Sequence, residues 1–411
     1  MIDFSQFELE NGLKVIVHED FSTPLVAVNM LYKVGAKDES PQKTGFAHLF
    51  EHLMFGGSAN VPSFDEAIQI AGGENNAFTN NDITNFYDVL PAKNIETAFW
   101  LESDRMLNLN FNQRSLEIQQ KVVVEEFKET CLNQPYGDVW HQLSGMAYKV
   151  HPYRWPTIGI TPTHIEEATL DDVKDFFYKY YRPNNAILVV AGNITLEKVK
   201  QLSQKWFADI PRGTFKGKNI PQEPIQKKLE HKIHVADVPV DAIYLAFHVP
   251  GRRSSDYYTV DLISDVLGNG PSSRLYRKLL KEKRLFNTID AYITGNVHPG
   301  LLIIEGKPAK GVSLEEGKEA IWLELEELKR TIIDESELLK YKNKVESALV
   351  FSEMSILNKA INLAFYESLG NVDLINQEKE IYQKISPENI QYWANTVFTK
   401  NNCSELFYTA K

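Results

Sequence analysis

The chain has 411 residues, more than a single hydrophobic core usually organises, so we expect two or more domains. Acidic residues outnumber basic ones by 55 to 44, and the net charge of −11 argues against a nucleic acid as the partner. The two cysteines, Cys131 and Cys403, are too few for a disulfide framework or a cysteine-rich metal site.

The start of the chain gives an expectation about location. Residues 1–10 are polar and lack the basic and then apolar pattern of a signal peptide. No apolar run elsewhere is long enough to cross a bilayer. We therefore expect a soluble protein without a membrane span. A cytoplasmic location is favoured, and a periplasmic one stays open if a leader was removed.

The first predicted elements are two strands followed by a helix. Residues 12–18 and 25–34 are rich in β-branched and other apolar residues and are separated by a turn, which predicts two strands. At Phe46–Phe55 the apolar residues recur at helical spacing, and a pair of glycines follows. This pattern predicts a short buried helix.

That helix carries the most informative residues of the chain. His48 and His52 are four residues apart and project from one face, with Glu51 beside them. Two neutral imidazoles and a third ligand from elsewhere would hold a catalytic zinc with one position open for water. Glu51 could take the proton of that zinc-bound water and pass it to a leaving amine. A chance arrangement would leave three polar groups unsatisfied in an apolar helix, so we favour the inverted zinc signature H-x-x-E-H.

A third ligand could come from a later helix. Glycines and asparagines in residues 72–90 mark turns around two short strands, for which an ordinary hairpin is as good an interpretation as a functional one. Helices are predicted at Ile95–Leu107 and at residues 113–131. The second contains Glu125, Glu126 and Glu129. Composition alone favours a solvated charged face, but a carboxylate from this helix would complete a three-ligand zinc site.

The two halves of the chain look like copies of one another. Residues 168–188 align without gaps with residues 385–405, and each copy has a helix cap, an amphipathic helix, an Asn-Asn turn and a strand. Residues 27–34 match residues 242–249 at nearly the same offset. That offset puts Ile263, Val266 and Leu267 where the first half has His48, Glu51 and His52. We favour a duplication over two unrelated α/β domains, with metal chemistry in the first half alone.

These residues resemble the inverted-zinc peptidases that include pitrilysin, insulin-degrading enzyme and mitochondrial processing peptidase, especially the short bacterial members. The resemblance spans essentially the whole chain and rests on residues 45–52, 73–79, 82–85, 122–126, 151–153, 156–159 and 181–185. It implies an α+β fold of two homologous domains, each a mostly antiparallel sheet covered by helices, which close as a clam shell. A zinc-binding catalytic domain at 1–214, a linker at 215–228 and a second domain without the zinc motif at 229–411 are expected.

The resemblance also implies roles for individual residues. His48, His52 and Glu126 would be the zinc ligands and Glu51 the general base. Glu125 is the competing third ligand, because only one of the two adjacent carboxylates can face the metal. The metal held in the cell could also be cobalt or manganese.

Three further residues receive roles by the same resemblance. Glu129 would lie behind the metal ligands and orient a histidine or stiffen the site. Asn76 and Ala77 would lie on an edge strand against which an extended peptide substrate pairs through its main chain.

One departure from the family pattern concerns a partner. Members that act as single-type assemblies carry in the second domain an Arg and a Tyr seven residues apart, which bind substrate. The corresponding positions are occupied here by Leu280 or Lys281 and by Asn287 or Thr288. Arg274 and Tyr276 come too early and are more simply part of a packed helix. The resemblance therefore implies the zinc-bearing subunit of a heterodimer whose homologous second subunit supplies both side chains.

We accordingly predict a zinc-dependent endopeptidase subunit that hydrolyses peptides or unfolded segments. The first alternative is a non-catalytic core or scaffold subunit of a larger complex, although a scaffold has no need of an intact metal motif. A zinc hydrolase for a non-peptide substrate is a second alternative, which the resemblance in the peptide-binding segments disfavours.

Overall fold

The computed structural model describes residues 1–411, and the chain forms two compact units. The first unit comprises residues 1–128, 155–220 and 350–376, and the second comprises residues 129–154, 221–349 and 377–411. Each unit is built on one mixed sheet covered by helices. The expected fold class, two α+β domains with mostly antiparallel sheets, is confirmed.

The sheet of the first unit has six strands in the order β1-β2-β6-β3-β5-β4. The strands are β1 (Ser5–Glu8), β2 (Lys14–Glu19), β3 (Leu25–Tyr32), β4 (Glu74–Thr79), β5 (Thr84–Pro91) and β6 (Ala186–Gly192). All neighbours are antiparallel except β2 and β6. The two strands predicted before the metal-binding motif are confirmed by β2 and β3. β4 lies at the edge of the sheet.

The sheet of the second unit has five strands in the order β7-β11-β8-β10-β9. The strands are β7 (Glu230–Ala236), β8 (Ala242–Val249), β9 (Phe286–Ile293), β10 (Gly300–Pro308) and β11 (Cys403–Ala410). Only β7 and β11 are parallel. This is the path of β2-β6-β3-β5-β4 in the first unit, so the duplication inferred from the sequence is matched by the topology.

Fourteen α-helices cover the two sheets. In chain order they are α1 (Phe46–Phe55), α2 (Phe64–Ile70), α3 (Ile95–Leu107), α4 (Gln113–Phe127), α5 (Val139–Ala147), α6 (Thr163–Glu166), α7 (Leu170–Tyr180), α8 (Leu196–Phe207), α9 (Tyr257–Leu267), α10 (Leu314–Arg330), α11 (Glu335–Ser352), α12 (Ile356–Leu369), α13 (Leu374–Gln383) and α14 (Pro387–Val397). The helix predicted at residues 113–131 continues as a π-helical turn, Lys128–Leu132. None of these helices combines the length and apolar character that crossing a membrane requires.

The compact units are not contiguous halves of the chain. Helix α12 belongs to the second half of the sequence, yet its buried Ala360, Leu363 and Ala364 pack on β3 and β6 of the first unit. Helix α5, from the first half, packs in the same way on β8 and β11 of the second unit. The ranges 1–214 and 229–411 therefore differ from the units, because each sheet has two apolar faces and one is covered by a helix from elsewhere in the sequence.

The second unit keeps the helix but not its polar residues. α9 follows β8 as α1 follows β3, and it carries Ile263, Val266 and Leu267. All three side chains are fully buried in the core of the unit. This half has no donor atoms at the positions of the metal motif.

Candidate metal centre

The helix that carries the motif begins at a strained point of the backbone. Gly45 precedes α1 with a left-handed φ of 85°. A Cβ atom there would lie 2.8 Å from the carbonyl oxygen of Ile158, so both the backbone angle and the available space require glycine. The predicted helix, Phe46–Phe55, is confirmed with the same bounds.

A buried carboxylate binds the first N–H groups of α1. The N–H groups of Gly45 and Ala47 donate to Oε2 and Oε1 of Glu39, at 3.0 and 2.8 Å. Burial raises the pKa of Glu39 to about 8, against the effect of these two hydrogen bonds. Because helix N-termini have free N–H donors, this contact fixes the start of the helix on which the motif lies.

Two helices bring three metal-ligating side chains together. The Nε2 atoms of His48 and His52 lie 3.3 Å apart on one face of α1. From α4, Glu126 places Oε1 at 3.6 Å from Nε2 of His48 and Oε2 at 3.4 Å from Nε2 of His52. One donor atom from each residue lies within 4.8 Å of the other two.

The donor set and its spacing fit zinc. With bonds of about 2.0–2.2 Å, two ligand atoms of a tetrahedral zinc are roughly 3.4 Å apart. The Nε2 atoms of His48 and His52 are separated by close to this value, and each lies at a similar distance from a different carboxylate oxygen of Glu126. Two imidazoles and one carboxylate also leave the fourth position open, as catalytic zinc sites do.

The protonation states suit a metal as well. Burial lowers the pKa of His48, which favours the neutral imidazole that can act as a ligand. The hydrogen bond with His52 is the largest effect on Glu126 and lowers its pKa, which favours the carboxylate. Both shifts favour the protonation state in which the side chain can bind a metal.

Glu51 lies on the same helix and has a different environment. Its side chain is half-buried, and burial raises its pKa above the ordinary value for glutamate. A carboxylate with a raised pKa accepts a proton more readily, which is the property that a general base needs near neutral pH.

The two adjacent glutamates of α4 have different surroundings. Glu125 is exposed and its Oε1 accepts a hydrogen bond from the ammonium group of Lys128 at 2.6 Å. Glu126 meets both histidines. The geometry therefore favours Glu126 over Glu125 as the third ligand.

The other expected site residues, Glu129, Asn76 and Ala77, are not among the three clustered metal-ligating residues. Glu129 is exposed on the π-helical turn and has no hydrogen bond or ion pair, so its role in orienting a histidine stays a prediction. Asn76 and Ala77 lie on the edge strand β4, and the N–H of Ala77 donates to Oδ1 of Asn76 at 2.8 Å. That N–H is thus held by a local side chain.

Arg274 is engaged within the second unit. Its Nε and NH2 groups donate to the two carboxylate oxygens of Glu337 at 3.0 and 2.8 Å. Tyr276 begins the π-helical segment Tyr276–Glu282. This bidentate ion pair agrees with a packing role for Arg274.

Glu39 was not predicted as a residue of the site from the sequence. It lies six residues before Gly45, and only the folded chain shows that its carboxyl group reaches the N–H groups of Gly45 and Ala47. An acidic residue shortly before a helix that begins with glycine was the available signal.

A duplicated α+β fold whose first unit carries this H-x-x-E-H cluster defines a class, the inverted-motif metallopeptidases. Residues 14–159 match the family described as Insulinase (Peptidase family M16), and residues 167–345 match the one described as Peptidase M16 inactive domain. The chain belongs to the M16 peptidase family. The second match covers the half that lacks the metal motif.

Individual relatives agree with this assignment. Zinc protease PqqE of Helicobacter pylori is 34% identical over 283 residues, which are 67% of this chain and 64% of that protein, less than two thirds of its length. A crystal structure of a protease from Helicobacter pylori has a TM-score of 0.93 at 27% identity, covering 100% of both chains. A peptidase M16 inactive domain from Pseudomonas fluorescens has a TM-score of 0.90 at 18% identity, covering 100% of this chain and 99% of that one, and shows the shared fold.

Proposed function

We propose that this chain is a zinc-dependent endopeptidase subunit that hydrolyses peptides or unfolded segments. The observation that carries the proposal is the set of three ligand atoms, one each from His48, His52 and Glu126 on α1 and α4, which all lie within 4.8 Å of one another. Relatives named zinc proteases support it.

The residues of the cluster would have different roles in the reaction. His48, His52 and Glu126 would hold the zinc ion. When bound, zinc supplies a Lewis acid that polarises the scissile carbonyl and lowers the pKa of a water molecule. Glu51 takes a proton from the attacking water and delivers it to the nitrogen of the leaving amine. The raised pKa of Glu51 supports this role.

The substrate is proposed to lie along β4 in extended form. β4 pairs only with β5, so its other edge can accept a peptide through main-chain hydrogen bonds. Asn76 and Ala77 would line this edge. Main-chain pairing makes recognition tolerant of sequence, which suits a peptidase for unfolded segments.

A homologous second subunit is proposed to supply the missing Arg and Tyr. The chain has Leu280 or Lys281 and Asn287 or Thr288 at those positions, and Arg274 is held by Glu337. A cationic donor and a hydroxyl aimed at the developing oxyanion would stabilise the transition state. This chain would therefore provide the zinc half of a shared active site.

The test is cleavage of a panel of unstructured peptides by the purified, zinc-loaded chain, alone and with a homologous partner that has the Arg and Tyr. Glu51→Gln should still bind one zinc per chain but lose turnover by about 10²-fold or more, because general-base catalysis contributes on that scale. We expect cleavage only with the partner. A Glu51→Gln chain that stays fully active in the complex would exclude Glu51 as the base.

Other outcomes separate the remaining alternatives. Cleavage by the chain alone that does not rise with any partner would exclude the heterodimer. A complex that retains zinc and cleaves no peptide would favour a scaffold subunit or a non-peptide substrate. The absence of the Arg and Tyr is the observation that keeps the scaffold alternative open.

A further inference from the structure

The two units differ in how one face of the sheet is covered. In the first unit, α8 lies over Val15 and Val17 of β2, and its Phe207 contacts Phe99 of α3 with ring centroids 6.0 Å apart. The indole N–H of Trp206 donates to Glu96 of α3 at 3.2 Å, and Lys205 pairs with the same carboxylate at 2.6 Å. An amphipathic helix thus closes this side of the first core.

No helix of the structure covers the corresponding face of the second unit. β7 takes the place of β2 and α10, which follows β10, takes the place of α3, which follows β5. The face of β7 that corresponds to Val15 and Val17 leaves Ile233 58% exposed and Val235 59% exposed. On α10, Leu323 is 64% exposed.

A groove marks the uncovered place. It has a volume of about 450 Å³, and we call it the α10 groove. Its apolar residues are Leu229, Trp322 and Leu323, its acidic residues are Glu319, Glu326 and Glu405, and its basic residues are Lys318 and Lys400. All eight lie in the second unit.

Charge indicates the kind of occupant. Among the six glutamates of α10, Glu315 and Glu326 pair with lysines of the same helix and Glu324 is buried, whereas Glu319 is exposed without an ion pair. In the first unit the covering helix α8 is basic, with Lys198, Lys200 and Lys205 against a single Glu197. Lys205 meets a glutamate of α3 there. The same complementarity would place a lysine of an incoming helix against α10.

We propose that the α10 groove binds a basic amphipathic helix of another protein chain, as α8 covers the first unit. Apolar side chains of that helix enter the groove beside Trp322 and Leu323, and one of its lysines faces Glu319. Apolar anchors on one helical face in a hydrophobic groove are a recurring mode of peptide recognition. The proposal does not depend on peptidase activity.

A synthetic peptide can test this mode of binding with the whole chain. The probe is a fluorescently labelled peptide with the sequence of residues 195–207, which has the required apolar and basic pattern. Fluorescence anisotropy should show saturable binding that weakens as salt is raised. A peptide of the same composition in scrambled order should not bind.

Matched variants locate the site. Leu323→Lys, at an exposed position, should weaken binding at least tenfold, and Glu319→Lys should weaken it and reduce its dependence on salt. Leu339→Lys is the control, because Leu339 is 50% exposed on α11 and does not line the groove. It should bind the peptide as the unchanged chain does.

Three outcomes would overturn the proposal. The first is no saturable binding of the peptide, and the second is equal binding by the chain and by Leu323→Lys. The third is a dimer of the pure chain that Leu323→Lys converts to a monomer in light scattering, which would assign the groove to a second copy instead.

Discussion

Glu125 and Glu126 are adjacent on α4, but their side chains have different partners. One is exposed beside Lys128, and the other meets His48 and His52. Helical spacing explains why two histidines four residues apart share a face, but it does not say which residue of α4 faces α1. Packing between the two helices makes that choice.

Removing the Glu126 carboxylate should weaken zinc binding more than removing its neighbour. Glu126→Gln should lower the zinc affinity by more than the roughly 100-fold that loss of an outer-shell partner costs, since a direct ligand is removed. Glu125→Gln should leave it unchanged. Competition titration with a chromogenic chelator measures both. Equal affinities of the two variants would contradict the assignment of Glu126.

Glu39 should stabilise the fold through the start of α1. In Glu39→Gln the amide NH₂ group cannot accept a hydrogen bond, so one of the two N–H donors of Gly45 and Ala47 loses its acceptor. The free energy of unfolding should fall by about 1–3 kcal/mol. Urea unfolding measures it. Retention of full stability would show that the N–H groups find other acceptors.

The same residue should make stability depend on pH. Burial raises the pKa of Glu39 to about 8 in the folded chain, above the model-peptide value of about 4.3. The folded state then binds the proton more tightly, so this contribution is full below pH about 4.3 and falls as pH rises to about 8. The free energy of unfolding of the unchanged chain, measured relative to that of Glu39→Gln, should therefore fall as pH rises over this range. A constant difference would contradict the raised pKa.

Among the elements, α12 is notable because it lies far along the sequence from the strands that it covers. Strands β3 and β6 are buried on both faces, because helices such as α1 and α3 lie over one and α12 lies over the other. Small residues, Ala360 and Ala364, allow α12 close to the sheet. A fully buried central sheet therefore depends on residues more than 150 positions away from β6.

Truncating the centre of α12 should destabilise the first unit. Leu363 is fully buried, so Leu363→Ala should lower the free energy of unfolding by about 2–5 kcal/mol. Phe351→Ala is the matched control at a 70% exposed apolar position and should change it by less than about 0.5 kcal/mol. Chemical denaturation of both variants measures this. Equal effects would show that α12 contributes little to the core.

At the scale of the whole molecule, the two units share one topology and carry different features. The first unit has the cluster of donor atoms, and the second has buried apolar residues at those positions and an uncovered groove elsewhere. Both cysteines, Cys131 and Cys403, lie in the second unit at low exposure, and neither forms a disulfide.

Both thiols should react only when the chain opens. Cys403 is fully buried and Cys131 is 8% exposed, and burial raises the pKa of the Cys403 thiol. Because the thiolate is the reactive form, a disulfide reagent should modify Cys403 slowly in the native chain and both cysteines rapidly in denaturant. In Cys403→Ser, the remaining modification signal comes from Cys131. Rapid modification of two thiols in the native chain would contradict this burial.

The sequence by itself determined the metal helix, its bounds and the shared face of His48 and His52, because these follow from local spacing. It also determined the duplication, since matching elements recur at one offset. Only the tertiary structure decided that Glu126 faces the histidines, that Glu39 binds the start of α1, and that α12 covers the first sheet. These contacts join residues far apart in the chain, and the burial of whole apolar faces, rather than any local pattern, selects them.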